Sequence, residues 1–69
     1  MKLAFGKTLK ELRQEKSMTQ KQLAEIFNVH QTTIRDWEMR GCEPSYQTLI
    51  DIAEYFGVTV GQLLGVEEY

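Results

Sequence analysis

Residues 19–38, TQKQLAEIFNVHQTTIRDWE, carry two short helical patterns with only Asn28, Val29 and His30 between them. A break this short leaves the chain few options. Two helices joined by a turn of three or four residues cross steeply, and each must bury its apolar side against the rest of the domain. In the first pattern Leu23, Ala24 and Phe27 share a face. In the second Ile34 and Trp37 do, with Val29 joining them from the turn.

Capping chemistry marks the ends of these helices. Thr19 with Gln22 three residues on forms a T-x-x-Q box, in which each side chain satisfies a backbone donor of the other residue. Asn28 tolerates the left-handed conformation that a tight turn needs. The spacing predicts helices over about 20–27 and 31–39, the latter reaching Met39 or Arg40, with Gly41 as its stop and Pro44 beyond.

Three more helices complete the pattern. The first covers about 5–16, with Phe5, Leu9 and Leu12 on one face, and Ser17-Met18 breaks it. The fourth, over 46–56, starts from a Ser45 cap, turns Leu49, Ile52, Ala53 and Phe56 inward and stops at Gly57. The fifth, over 60–64, repeats the T-x-x-Q box at Thr59 and Gln62, buries Leu63-Leu64 and stops before Gly65. Trp37, Phe27 and Phe56 stand at core spacing. No strand alternation persists, and there is no internal repeat or domain-dividing linker. Residues 1–69 therefore read as a single, compact, all-α domain of five helices. A core this small supplies only roughly 3–5 kcal/mol, so caps and packing must agree throughout.

Several function classes are disfavoured. No apolar run approaches the ~20 residues of a membrane span. The N-terminus MKLAFGKTLKELRQEK turns charged at once, unlike a secretory leader. The single cysteine, Cys42, cannot form an intramolecular disulfide, and Cys42 with His30 is too little for a zinc site. With one His, one Cys and no Gly-rich phosphate loop, an enzyme is not expected, nor is a metal or cofactor. A cytoplasmic protein is the expectation.

The net charge of −2 looks unfavourable for a nucleic-acid partner, but its distribution is uneven. Residues 1–42 hold all eight basic residues and five acids, a net of +3. Residues 43–69 hold no basic residue and five acids, a net of −5. The local field at a contact face matters more than the total. The asymmetry suggests a basic face on the first three helices and an acidic C-terminal side; the alternative is a chance asymmetry on solvated helix faces.

Leu12-Arg13, Thr19-Gln20, Leu23-Ala24, Val29, Ile34, Trp37-Glu38, Pro44-Ser45, Leu49, Ile52-Ala53 and Gly57-Val58 together resemble the Cro/CI-type (XRE) helix-turn-helix repressors of phages and bacteria. The resemblance runs from about Phe5 to Leu64. It implies a lambda-repressor-like DNA-binding fold, with the helix-turn-helix at helices two and three. The chain departs from the family pattern at Asn28, where Gly is usual, and after Trp37-Glu38, where Met39 and Arg40 precede Gly41.

The third helix has the chemistry of a recognition helix. With Ile34 and Trp37 buried, Gln31, Thr32, Arg35 and Asp36 fall on the other side as one stripe. Gln can pair with adenine, Arg with guanine and Asp with cytosine N4, while Thr can meet a thymine methyl. The family's base-contacting positions match these four residues, with Thr33 a neighbour. Asp36 could instead pair with Arg40 one turn on. The resemblance also implies a phosphate contact at Gln20, which opens the second helix. His30 is either a phosphate contact or a surface cap. Lys21 and Arg40 are either phosphate ligands or solvated charges. In many relatives an Arg of helix one pairs with a Glu at the end of helix three. Arg13 and Glu38 occupy those positions, and a structural ion pair is expected.

The resulting expectation is a sequence-specific regulator of transcription, read as a repressor. It would bind a pseudo-palindromic double-stranded operator as a homodimer. Val60, Leu63, Leu64, Val66, Tyr69, Tyr46 and Tyr55 are candidates either for the dimer surface or for closing the core. The alternative is a protein-interaction module on the same fold, such as an antitoxin, with a toxin or antirepressor as partner and the acidic half as docking face.

Overall fold

A computed structural model describes residues 4–68. Lys2 of the basic tally and Tyr69 of the surface candidates lie outside the described residues. The regular structure is helical throughout: α1 (Phe5–Glu15), α2 (Gln20–Phe27), α3 (Gln31–Met39), α4 (Tyr46–Phe56) and α5 (Val60–Leu64).

Each helix from α2 onward starts on a side-chain cap. Thr19 and Thr59 both form the reciprocal box with Gln22 and Gln62. Ser45 Oγ accepts from the Thr48 amide at 3.3 Å. Asn28 adopts the left-handed conformation, φ 55° and ψ 45°, so the tight break between α2 and α3 is made without glycine. The α1 helix stops one residue sooner than its apolar spacing predicts. Lys16 leaves helical geometry and Ser17 turns left-handed at φ 55°, while the Met18 amide folds back onto the Arg13 carbonyl.

One core joins all five helices. Leu9, Leu23, Ile34, Ile52 and Leu63, one from each helix, are fully buried at its centre. Phe5, Leu12, Ala24, Trp37 and Ala53 complete it, and Phe5 meets Trp37 edge-to-face at 6.2 Å. Phe27, Leu49, Phe56 and Leu64 pack against it half-buried. Leu63 is thereby committed to the core and cannot serve a dimer surface. The α3 helix lies against both α2 and α1, while α5 is held between α1 and α4.

Gly6 permits the close approach of α1 to α3. A Cβ at this position would stand 2.5 Å from the Trp37 carbonyl oxygen and 2.9 Å from that of Glu38. Both are backbone atoms, and neither can swing aside.

Candidate nucleic-acid interface

The orientation of α3 is held from inside the domain. Arg13 is buried, and the Glu38 side chain has no solvent exposure. Their contact is bidentate: Nε donates to Oε2 at 2.8 Å and Nη2 to Oε1 at 2.9 Å. The remaining Nη1 donates to the Met18 carbonyl at 2.8 Å. The hydrogen bond to Glu38 raises the Arg13 pKa above the usual arginine range, against the lowering effect of burial. The expected ion pair is thus present and joins α1, the α1–α2 turn and α3.

Gln20 extends this network. Its Nε2 donates to Glu38 Oε1 at 3.1 Å, so the first residue of α2 is tied to the last turn of α3. Sequence reasoning placed Gln20 on phosphate and missed this bond, because its partner lies 18 residues away. One amide N–H and the carbonyl of its side chain remain for other partners.

On the outer side of α3, Gln31, Thr32 and Arg35 are exposed, while Ile34 and Trp37 are buried. Together with Gln20 and His30, the three exposed residues line a shallow concavity of about 280 Å³. His30 is the N-cap of α3: its Nδ1 accepts from the Thr32 amide at 3.1 Å. Acceptance at Nδ1 places the proton of the neutral ring on Nε2, which leaves that N–H as a donor. Capping is therefore a role this histidine has, and it does not consume its outward nitrogen. The Thr32 hydroxyl also lies 3.1 Å from His30 Nδ1.

Asp36 stands apart from this group. Its Oδ1 is occluded from solvent and lacks a hydrogen bond, and its side chain is only 28% exposed. Arg40 Nη1 lies 3.9 Å from that oxygen. The carboxylate thus leans along α3 toward its C-terminal end. Arg40 is 69% exposed in its side chain, and Lys21 is exposed on α2. Thr33 is half-buried. Met39 was not foreseen. It is 66% exposed, and at about 100° per residue it falls between Arg35 and Thr32 around α3. The i+4 spacing from Arg35 carries that information, but methionine has no polar atom to draw attention to it.

Among the described residues, no group of three or more His, Cys, Asp or Glu could hold a metal ion. No helix among them is long and apolar enough to cross a membrane.

A family profile described as helix-turn-helix matches residues 9–63. That span contains both helices of the motif and most of the core. The chain belongs to the Cro/CI-type helix-turn-helix family. It is 39% identical over 66 residues to the HTH-type transcriptional activator BcrR of Enterococcus faecalis, a match covering 96% of this chain and 32% of that protein. It is 33% identical over 66 residues to the HTH-type transcriptional regulator ImmR of Bacillus subtilis, covering 96% of this chain and 52% of that one. The immunity repressor protein of Bacillus phage phi105 is 34% identical over 65 residues, covering 94% and 45% respectively. A transcriptional regulator from Listeria innocua superposes with a TM-score of 0.90 at 26% identity, over all of this chain and 64% of that one. The chain spans about half or less of the length of these curated relatives. The relatives are regulators of transcription by name, not enzymes.

Proposed function

We propose that this helix-turn-helix domain binds a specific double-stranded DNA sequence by laying α3 in the major groove, and that it regulates transcription as a repressor. The observation that carries this reading is the division of α3. Ile34 and Trp37 hold it to the body, and Gln31, Thr32 and Arg35 face out beside Gln20 and His30. Gln31 suits adenine, Arg35 suits guanine N7 and O6, and the Thr32 methyl suits thymine. Asp36 keeps one oxygen able to accept from cytosine. Phosphates flanking the groove would meet the N-terminus of α2 at Gln20 and Lys21, the His30 Nε2–H and Arg40.

A repressor is favoured by the phage immunity repressor among the relatives, although another relative is named an activator. Two copies on a pseudo-palindrome, with half-sites about one helical turn (~34 Å) apart, would raise the affinity of a domain with few phosphate contacts. Action on DNA inside a bacterial or phage-infected cell makes the cytoplasm its place of work.

Selection of bound duplexes from a random pool tests the reading. The parent should yield a defined site. Gln31→Ala and Arg35→Ala should each lose preference at particular base pairs, by about 1–3 kcal/mol per pair. Unchanged preferences in both variants would remove α3 from the role of reader.

A further inference from the structure

On the far side of α2 from Gln20 lies a surface of mixed apolar and acidic character whose residues the proposed function does not name. At about 100° per residue, Gln22, Glu25 and Ile26 lie opposite Gln20 around the helix. Ile26 is 44% exposed and Tyr55, from α4, is 39% exposed. Scattered exposed apolar residues are ordinary, but these two share walls. One concavity of about 730 Å³ is lined by Lys16, Met18, Glu25, Ile26 and Tyr55, among others. A second, of about 510 Å³, is lined by Ile26, Phe27, Asp51, Glu54 and Tyr55, among others. The shared pair makes them one surface with a central ridge. None of its residues lines the concavity beside α3.

The ridge is braced rather than loose. Tyr55 packs edge-to-face on both Phe27 and Phe56, with centroids at 5.6 and 5.0 Å, and its hydroxyl donates to Met18 Sδ at 3.7 Å. A rigid, braced aromatic side chain is the kind of residue that carries binding energy at protein interfaces. The charges around it are mainly acidic. Glu25, Asp51 and Glu54 line the two concavities, and the sole cation lining them, Lys16, sits 5.4 Å over the Tyr55 ring.

We propose that this surface docks a cationic amphipathic segment of another protein, its apolar side chains straddling the Ile26–Tyr55 ridge and its Lys or Arg residues meeting Glu25, Asp51 and Glu54. Charge decides the occupant. A second copy of the chain would bring three carboxylates against three, and like charges face to face suppress pairing. A basic helix supplies the opposite sign and an apolar stripe of matching character. The surface shares no lining residue with the concavity beside α3, although Glu25 stands one turn from Lys21 on α2.

The test uses the 69-residue chain without DNA, so its outcome is independent of the proposed operator binding. An amphipathic helical peptide of leucine and lysine is titrated against labelled protein, beside a leucine–glutamate peptide of the same pattern. Amide shifts should move at Met18, Ile26 and Tyr55 with the lysine peptide alone. The doubly reversed Glu25→Lys, Glu54→Lys protein, its folding checked by thermal melting, should bind at least about tenfold more weakly. The single variant Ile26→Ser should weaken binding without touching the charges. Shifts centred on α3 or α5, equal binding of both peptides, or unaltered affinity in the variants would overturn the assignment. So would self-association of the free chain that Ile26→Ser abolishes.

Discussion

Glu38 shows how much depends on one side chain in so small a domain. Its carboxylate accepts from Arg13 twice and from Gln20 once, with no solvent exposure to compensate a loss. Glu38→Gln keeps the shape but leaves the Arg13 cation buried without its anion. Breaking one side of a buried pair costs about 3–5 kcal/mol, comparable to the whole margin of a domain this size. The variant should therefore melt far below the parent and be largely unfolded at moderate urea, by circular dichroism. The double variant Arg13→Met, Glu38→Leu should recover much of that loss, since an apolar pair of similar volume removes both charges from the interior. Unchanged stability in Glu38→Gln would mean that the pair is energetically idle. Arg13 and Glu38 were legible because each sits at a known family position. Gln20 as third member was not, since an amide on a helix N-terminus looks the same in sequence whether it faces a phosphate or a carboxylate.

Among the elements, α1 and α3 meet by a device that helix propensity alone would misjudge. Gly6 is the second residue of α1, and alanine is the better helix former, so propensity predicts that Gly6→Ala stabilises α1. Packing predicts the reverse, because the added methyl meets the Trp37 and Glu38 carbonyls. Overpacking against backbone costs about 1–3 kcal/mol. Gly6→Ala should thus lower the urea midpoint, and a raised midpoint would show that α1 can shift at little cost. The turn between α2 and α3 provides the complementary case. Asn28 is held left-handed, and Asn28→Ala should cost about 1–2 kcal/mol in the same measurement, where Asn28→Gly should not. Helix spans were readable because caps, stops and apolar spacing are local signals. Ser17-Met18 marks the end of α1, and Ser17 makes the turn there in the left-handed conformation. Gly6 was silent because its meaning lies in a helix 31 positions away.

At the scale of the whole molecule, the proposed reading assigns the cations and the carboxylates different tasks. In that reading Arg35, Lys21 and Arg40 meet DNA, while Glu25, Asp51 and Glu54 line the concavities at Ile26 and Tyr55. An uneven charge distribution of that kind would favour approach to DNA by the cationic residues. The occluded Asp36 oxygen tempers the field on α3 only locally, because Arg40 lies within 3.9 Å of it. The number of cations that meet phosphate then fixes how binding responds to salt. Each phosphate neutralised contributes about −0.9 to the slope of log K against log salt. With Lys21 and Arg40 as the cationic ligands, one domain on its site should give a slope of about −2, and two domains on a palindrome about −4. Lys21→Ala should reduce the magnitude by about 1 per bound domain while leaving the order of preferred sequences intact. The opposite pattern, a changed preference with an unchanged slope, would place Lys21 on a base edge. Measured by fluorescence anisotropy across a salt series, the parent slope also reports how many copies occupy the operator.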